Sequence, residues 1–144
     1  MVIDASAVTR YLLTEILEQE GDIEVIASIP DTALALDKIQ DLRPHVVTLD
    51  VAKPALNGFL FLEKLMELHP TPVVIVSAVS EYQGDSALRA MQLGAVGYVG
   101  KQQSQTWSGI LNLADEIIEK VRAASAVRFL DKIPGGEQAT SSSF

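Results

Sequence analysis

Short apolar runs alternate with amphipathic segments along most of this chain. The apolar runs are rich in β-branched residues, and the segments between them repeat apolar residues at the spacing of a helix. This alternation is typical of a parallel β-sheet whose strands are connected by helices on both faces. The sequence therefore predicts a three-layer α/β domain, doubly wound, with five strands and five helices.

The same pattern places the individual elements. Predicted strands cover residues 1–3, 23–28, 45–49, 73–77 and 95–99. Predicted helices cover residues 7–19, 30–42, 57–68, 82–93 and 106–127, and Ser6 is the expected N-cap of the first. The first strand is very short, so either it begins upstream or the sheet is truncated there. We expect one domain over residues 1–127 and a flexible C-terminal tail or linker remnant over residues 128–144.

Composition excludes several classes of function. The chain of 144 residues has 11 basic and 19 acidic residues and a net charge of −8, which disfavours a direct nucleic-acid partner because phosphates are repelled. It has no cysteine, and its two histidines, His45 and His69, are at a spacing that indicates no zinc site. No apolar run approaches the ~20 residues of a membrane helix, and the first residues do not resemble a signal peptide. We therefore expect a cytoplasmic protein without a membrane partner.

Polar side chains stand where the predicted strands end. Asp50 follows the run 45–49, and Asp4 follows the first run. Ser77 ends the fourth strand, and Lys101 comes shortly after the fifth. Because ligands bind outside the carboxyl ends of the strands in open α/β sheets, we expect these four side chains to lie together at one edge.

This set of groups has a chemical interpretation. A carboxylate such as Asp50 can accept a phosphoryl group as a nucleophile. A carboxylate and a phosphoryl donor repel each other, so the site needs a divalent cation, and Mg²⁺ is held by one or two carboxylates with waters and phosphate oxygens. Lys101 would neutralise a second phosphoryl oxygen, and Ser77 would donate a hydrogen bond to a third. The four groups together indicate an aspartyl-phosphate site.

Two sets of residues connect the chain to a known family. The general set is Asp50, Pro54, Gly58, Ser77, Ala78, Gly94, Ala95, Tyr98 and Lys101. A more specific set comprises the segments 4–7, 12–16, 43–51, 61–66 and 70–74. Over about residues 1–125 the chain resembles a response-regulator receiver domain of two-component signalling, and most of all the receiver domain of the chemotaxis methylesterase response regulator. The resemblance implies a flavodoxin-like fold with strand order 2-1-3-4-5.

The resemblance also implies roles for single residues. Asp50 would accept the phosphoryl group from a histidine kinase, and Lys101 would be the conserved amine beside it. Ser77 and Tyr98 would be the switch residues that move when the phosphoryl group arrives. The output surface would be the face formed by helix 4, strand 5 and helix 5, which would bind an output protein or domain. Any enzymatic activity would be at most self-phosphotransfer and autodephosphorylation.

The expected metal site departs from the family pattern. The resemblance implies that Asp4, Asp50 and the backbone carbonyl of Ala52 hold Mg²⁺. The family usually has a second acid after Asp4, and here that residue is Ala5. Since the number of charged ligands sets the affinity for a hard cation, we expect weak Mg²⁺ binding, with Asp4 acting through water.

Other departures support an alternative function. Lys53 and Gln102 replace the methionine and the proline that the family commonly has. Leu34 and Leu60 lie on helix faces where this subfamily is more often acidic, so they are either ordinary exposed leucines or contacts for a partner or a homodimer. Ala5, Lys53 and Gln102 favour a pseudo-receiver that acts as a phosphorylation-independent interaction or dimerisation module.

Two further activities find little support in the sequence. The Gly-x-Ser-x-Gly motif of a nucleophile elbow does not occur, so we expect the methylesterase domain to be absent. A flavin-binding protein would need a hydroxyl- and glycine-rich loop after the first strand, and residues 4–7 do not provide one.

Overall fold

The computed structural model describes residues 1–52, 57–78, 83–101 and 107–127. Five parallel strands form one sheet in the order β2-β1-β3-β4-β5, which confirms the predicted fold and strand order. The strands are β1 (Val2–Ile3), β2 (Ser28–Ile29), β3 (Val47–Leu49), β4 (Val73–Ala78) and β5 (Gly97–Lys101). The helices are α1 (Ala7–Glu18), α2 (Ala35–Leu42), α3 (Gly58–Leu68), α4 (Gln83–Gln92), α5 (Trp107–Leu111) and α6 (Ala114–Ser125).

Alternation along the strands divides the core into two layers. Successive side chains of a strand point to opposite faces of the sheet, so neighbouring residues join different layers. One layer packs against α2 and α3 and includes Ile3, Leu49, Ile75, Ile39 and Leu62. The other packs against α1 and α6 and includes Val2, Val74, Val76, Leu17 and Val121. Covering both faces buries the central strands and leaves the strand ends as the places where polar groups gather.

Some element boundaries differ from the predictions. The strand predicted over residues 23–28 is reduced to β2, because its only partner strand is β1, which has two residues. The helix predicted from residue 30 begins at Ala35, because the Asp31 carboxylate first accepts hydrogen bonds from the N–H groups of Ala33 and Leu34 in a turn.

The carboxyl-terminal half shows two more differences. Strand β5 is shifted later than predicted, since Gly94 adopts a φ of 115° and the Ala95 N–H still bonds back to Ala90. The helix predicted over residues 106–127 is divided into α5 and α6 by a tighter turn in which the Leu113 N–H donates to the Ile110 carbonyl at 3.0 Å. The described residues therefore contain six helical segments instead of five.

Two further predictions concern the C-terminal tail and membrane-spanning helices. The tail predicted over residues 128–144 lies outside the described residues, so it remains a prediction. Among the described helices, none has the length and apolar character needed to cross a membrane.

Helix α3 begins in direct contact with the segment that follows β3. A Cβ atom built on Gly58 would lie 2.8 Å from Val51 Cγ1 and 2.9 Å from Val51 Cα. The second contact is with backbone and cannot be relieved by a change of rotamer. Gly58 therefore sets how closely α3 approaches the chain next to Asp50.

We expect Gly58→Ala to lower the free energy of unfolding by about 1–3 kcal/mol, because the added methyl group overpacks this contact. Urea denaturation measures the change. Gly21→Ala is the matched control, since nothing lies within 4 Å of its Cβ position, and it should shift stability by less than about 0.5 kcal/mol. Equal stability of the two variants would contradict the close approach of α3.

Candidate functional site

The polar residues that the sequence placed at strand ends meet at the carboxyl edge of the sheet. Asp4 follows β1, Asp50 follows β3, Ser77 lies near the end of β4 and Lys101 ends β5. Each is only 1% exposed, in contrast to most polar residues of the chain. Parallel pairing of the strands brings these four positions to one edge, as the sequence predicted.

Ser77 connects two strand ends through its hydroxyl group. Its Oγ donates a hydrogen bond to Asp50 Oδ1 at 2.7 Å and accepts one from the Val51 N–H at 2.7 Å. The Ala52 N–H donates to the same Asp50 Oδ1 at 2.8 Å. One oxygen of the Asp50 carboxylate is thus held by two donors, which fixes the orientation of the whole group.

Lys101 places a buried ammonium group between two carboxylates. Its Nζ lies 3.0 Å from Asp4 Oδ2 and 3.7 Å from Asp50 Oδ2. The first distance is a hydrogen bond, whereas the second is an ion pair without one. A buried charge is tolerated only when it is paired, so the two acids and the amine depend on one another.

The second oxygen of Asp50 has no hydrogen-bond donor among the described residues. Asp50 Oδ2 is buried, and its nearest cation is Lys101 Nζ at 3.7 Å. A buried acceptor without a partner is costly, and such groups tend to mark places where a ligand or ion binds. The Asp50 carboxylate therefore presents one fixed oxygen and one available oxygen.

Asp4 is held by the residues that begin α1. Its Oδ1 accepts the Ser6 N–H at 2.8 Å, and Ser6 Oγ accepts the Thr9 N–H at 3.2 Å, which confirms Ser6 as the N-cap. The Arg10 guanidinium donates to the Asp4 backbone carbonyl at 2.7 Å. The sequence pattern gave no signal for Arg10, because an arginine on the first turns of a helix resembles any exposed charge.

Burial raises the pKa of the Asp4 carboxyl above its usual value of 3.8, because the charged form loses its water. The Lys101 ammonium and the Ser6 N–H oppose this effect, and the negative charge of Asp50 adds to it. The rise in the pKa of Asp4 means that the loss of water around its carboxylate outweighs the attraction of Lys101, which Asp4 shares with Asp50.

The other predicted residues occupy different surroundings. Tyr98 is partly exposed on β5, and burial together with the Asp50 charge raises the pKa of its phenol. Ala5 is exposed beside Asp4 and contributes no carboxylate. Lys53 and Gln102 lie outside the described residues, as does the family proline at position 54. Leu34 and Leu60 are exposed on the surface.

We expect Ser77→Ala to lower the free energy of unfolding by about 1–3 kcal/mol, because the Val51 N–H and Asp50 Oδ1 each lose a partner. Thermal denaturation checks this. Ser28→Ala, at an exposed strand position, controls for the loss of a hydroxyl. Ser77→Thr should keep most of the stability, and a Ser77→Ala protein as stable as wild type would show that the hydroxyl is not a bridge.

The pKa of Asp4 gives a second expectation. Because folding raises this pKa above 3.8, the protonated carboxyl stabilises the folded state, and that contribution is complete below pH 3.8 and is lost as the pH rises through the folded pKa. The stability of Asp4→Asn relative to wild type should therefore increase as the pH rises from about 4 to about 7. Urea titrations at several pH values measure it, with Asp37→Asn on the exposed face of α2 as control. A relative stability that falls over this range would contradict the assignment.

Comparison with known proteins agrees with this geometry. The family model of the response regulator receiver domain matches residues 1–107. The chain is 44% identical over 128 residues to protein-glutamate methylesterase/protein-glutamine glutaminase 2 of Xanthomonas oryzae, and the match covers 89% of this chain and 36% of that protein. It is 41% identical over 135 residues to the methylesterase/glutaminase 1 of Dechloromonas aromatica, covering 94% and 39%. The chain thus spans well under half the length of these relatives.

Solved structures give the same result. The response regulator domain of Thermotoga maritima CheB superposes with a TM-score of 0.79 at 33% identity, covering 89% of this chain and 96% of that one. The receiver domain of NtrX from Brucella abortus gives a TM-score of 0.62 at 26% identity, covering 82% and 96%. The chain therefore belongs to the response regulator receiver domain family, and it is a receiver domain of the kind carried by the chemotaxis methylesterase regulators.

Proposed function

We propose that Asp50 is the residue on which this receiver domain accepts its phosphoryl group, with a histidine kinase as the donor. The observation that carries the proposal is the difference between the surroundings of the two Asp50 carboxylate oxygens. Oδ1 is held by Ser77 and the Ala52 N–H, whereas the buried Oδ2 has no donor among the described residues. A fixed carboxylate with one available oxygen is suited to act as a nucleophile.

The transfer itself is a simple displacement. Asp50 Oδ2 forms a bond to phosphorus while the bond between phosphorus and the donor nitrogen of a phosphohistidine breaks, and the departing imidazole takes a proton from solvent. Lys101 Nζ, 3.7 Å from Oδ2, is close enough to bind a phosphoryl oxygen after the transfer. To reach it, Lys101 would weaken its 3.0 Å contact with Asp4.

The donor set fits a Mg²⁺ ion that has few protein ligands. The Asp4 carboxylate and the Asp50 oxygen that does not attack phosphorus would hold the ion, with the Ala52 carbonyl as a third ligand, and waters would complete the shell. When bound, the ion supplies the positive charge that lets a carboxylate approach a phosphoryl group. The described residues contain no group of three or more acidic, His or Cys side chains that could hold a metal, and Ala5 accounts for part of that shortage.

Phosphorylation would then change contacts that the unmodified site already makes. The Ser77 hydroxyl is engaged with Asp50 Oδ1 and the Val51 N–H, and a phosphoryl oxygen would compete for it. The register pairs Ser77 on β4 with Gly100 on β5, two residues from the partly exposed Tyr98, which would be the second residue to move. Strands β4 and β5 pair along their length, so a movement of Ser77 on β4 would alter the position of β5.

The proposed output face lies next to Tyr98 and consists of α4, β5 and the predicted fifth helix, which the structure divides into α5 and α6. Leu88 is 59% exposed and Met91 is 45% exposed on α4, and Leu111 on α5 is also exposed. Exposed apolar side chains on adjoining elements are suited to bind a partner protein. We propose that an output protein or domain binds here and that the histidine kinase is the second partner.

A phosphorylation-independent interaction module is the alternative, and it rests on two observations. Ala5 removes an acid, and the remaining Asp4 is already engaged by Lys101 at 3.0 Å. The buried Asp50 Oδ2, which has no donor among the described residues, argues against this alternative. An unpaired buried acceptor is costly, and its presence is explained when a ligand binds to it.

We expect the protein to gain one phosphoryl group, about 80 Da by intact mass, after incubation with acetyl phosphate and Mg²⁺. Asp50→Asn should show no gain. Ala5→Asp should reach half-maximal phosphorylation at an Mg²⁺ concentration about tenfold lower, because it adds a charged ligand next to Asp4.

The three proteins distinguish the two functions. Wild-type protein that stays unmodified at high Mg²⁺, while Ala5→Asp is modified on Asp50, would establish the interaction module. A mass gain that persists in Asp50→Asn would place the acceptor elsewhere and overturn the assignment of Asp50.

A further inference from the structure

Helices α2 and α3 carry the same surface pattern. Residues 34–42 read Leu-Ala-Leu-Asp-Lys-Ile-Gln-Asp-Leu, and residues 60–68 read Leu-Phe-Leu-Glu-Lys-Leu-Met-Glu-Leu. In both segments the second and sixth residues are buried, whereas the leucines at the two ends, the central lysine and the two acids are exposed. We call the exposed side of residues 34–42 and 60–68 the twin-helix face.

The sheet places the two patterns level with each other. Equivalent residues of the two segments are 26 positions apart, and Val47 of β3 pairs with Val73 of β4 at the same separation. Helix α2 leads into β3 and α3 leads into β4, and both helices pack on the same layer of the core. Because these crossover connections have one hand, the two helices run side by side in the same direction. Each leucine and lysine of α2 therefore lies beside its equivalent in α3.

The leucines of the twin-helix face form a patch instead of isolated exposed residues. Leu34 and Leu60, at the starts of the two patterns, are 56% and 49% exposed. Leu42 and Leu68, at the ends, are 44% and 57% exposed. A single exposed leucine is ordinary, but two level pairs on neighbouring helices are an apolar surface that is suited to bind a protein.

The charges of the twin-helix face indicate which protein fits. Each helix exposes one lysine with an acid on either side, so the face offers both signs of charge. A purely basic partner would bring like charge against Lys38 and Lys64, and a purely acidic one would be repelled by the four acids. A second copy of the chain brings the same mixture of apolar, acidic and basic groups. Although each copy has a net charge of −8, repulsion between distant charges is screened beyond about 8 Å at physiological ionic strength.

We propose that this chain forms a homodimer in which the twin-helix faces of two copies pack on each other with their helices antiparallel. The twofold axis crosses both helices at the lysines, which are level with each other. Leu60 of one copy then contacts Leu68 of the other, and Leu34 contacts Leu42 of the other. Such an interface is isologous, because each contact occurs twice.

The same arrangement pairs the charges between copies. Along the helix axis, Lys64 lies about 1.5 Å from the level of Glu63 of the second copy and about 4.5 Å from the level of its Glu67. Lys38 has the same relation to Asp37 and Asp41 of the second copy. Each lysine is therefore placed between two carboxylates that belong to the other chain.

The size of the face sets the expected strength. Helices α2 and α3 have 8 and 11 residues, so they are about 12 and about 16 Å long. A surface of this size is smaller than the ~800 Å² that each partner contributes to a standard interface, so we expect a weak dimer that forms between about 10 and about 500 µM. The face does not include Asp50 or α4, so the homodimer is independent of phosphorylation and leaves α4 free for the proposed output face.

Sedimentation velocity of the full chain without a phosphoryl donor tests the leucine contacts. The weight-average mass should rise toward twice that of one chain between about 10 and about 500 µM. Leu34→Gln combined with Leu60→Gln takes one leucine from every proposed contact and should raise the Kd about tenfold. Leu88→Gln, at a residue of α4 that is 59% exposed, is the matched control and should leave the Kd unchanged. All these positions are exposed, so the urea midpoint should stay the same.

Charge reversal tests whether the lysines and acids pair between copies. Lys38→Glu combined with Lys64→Glu makes an acidic chain, and Asp37→Lys combined with Glu63→Lys makes a basic chain. Each variant alone should dimerise about tenfold more weakly, whereas an equal mixture should form a heterodimer within about threefold of the wild-type Kd.

Four results would overturn the proposal. The first is a wild-type protein that stays monomeric at 500 µM, which is about the upper limit expected for an interface of this size. The second is unchanged dimerisation of the double leucine variant. The third is loss of the dimer in Leu88→Gln, which would place the interface on the output face. The fourth is an equal mixture of the charge variants that dimerises no better than either variant alone.

Discussion

The carboxyl edge of this domain depends on one buried ion pair and the acid next to it. Lys101 lies 3.0 Å from Asp4 and 3.7 Å from Asp50, and all three side chains are removed from water. Two carboxylates share one ammonium, so the group keeps a net negative charge in a place of low polarity. Uptake of a proton by Asp4, whose pKa burial raises, or the approach of a cation would reduce this imbalance.

The neighbouring contacts fix the orientation of the Asp50 carboxylate within this charged group. Ser77 and the Ala52 N–H hold one oxygen of Asp50, so the other is the one that has no donor among the described residues. The close approach of Gly58 to Val51 fixes the segment that carries the Ala52 N–H. Orientation therefore comes from backbone and hydroxyl groups, whereas charge comes from the lysine and the acids.

The polar chemistry of the sheet is concentrated at its carboxyl edge. There the strands end in two carboxylates, a hydroxyl group and an amine, whereas most side chains within the strands are apolar. This separation places the polar groups at the edge where parallel sheets bind their ligands.

The sequence by itself determined the fold class and the four residues that meet at the carboxyl edge, because the apolar runs and helical patterns fix which residues end strands, and the resemblance to receiver domains implied the strand order. Tertiary structure decided the rest. Only packing shows that Lys101 prefers Asp4 over Asp50, that Arg10 holds the Asp4 carbonyl and that Asp50 has one available oxygen. These facts depend on distances between residues far apart in the chain, which local pattern does not contain. The shortness of β2 has the same origin, since a strand exists only where its neighbour supplies partners.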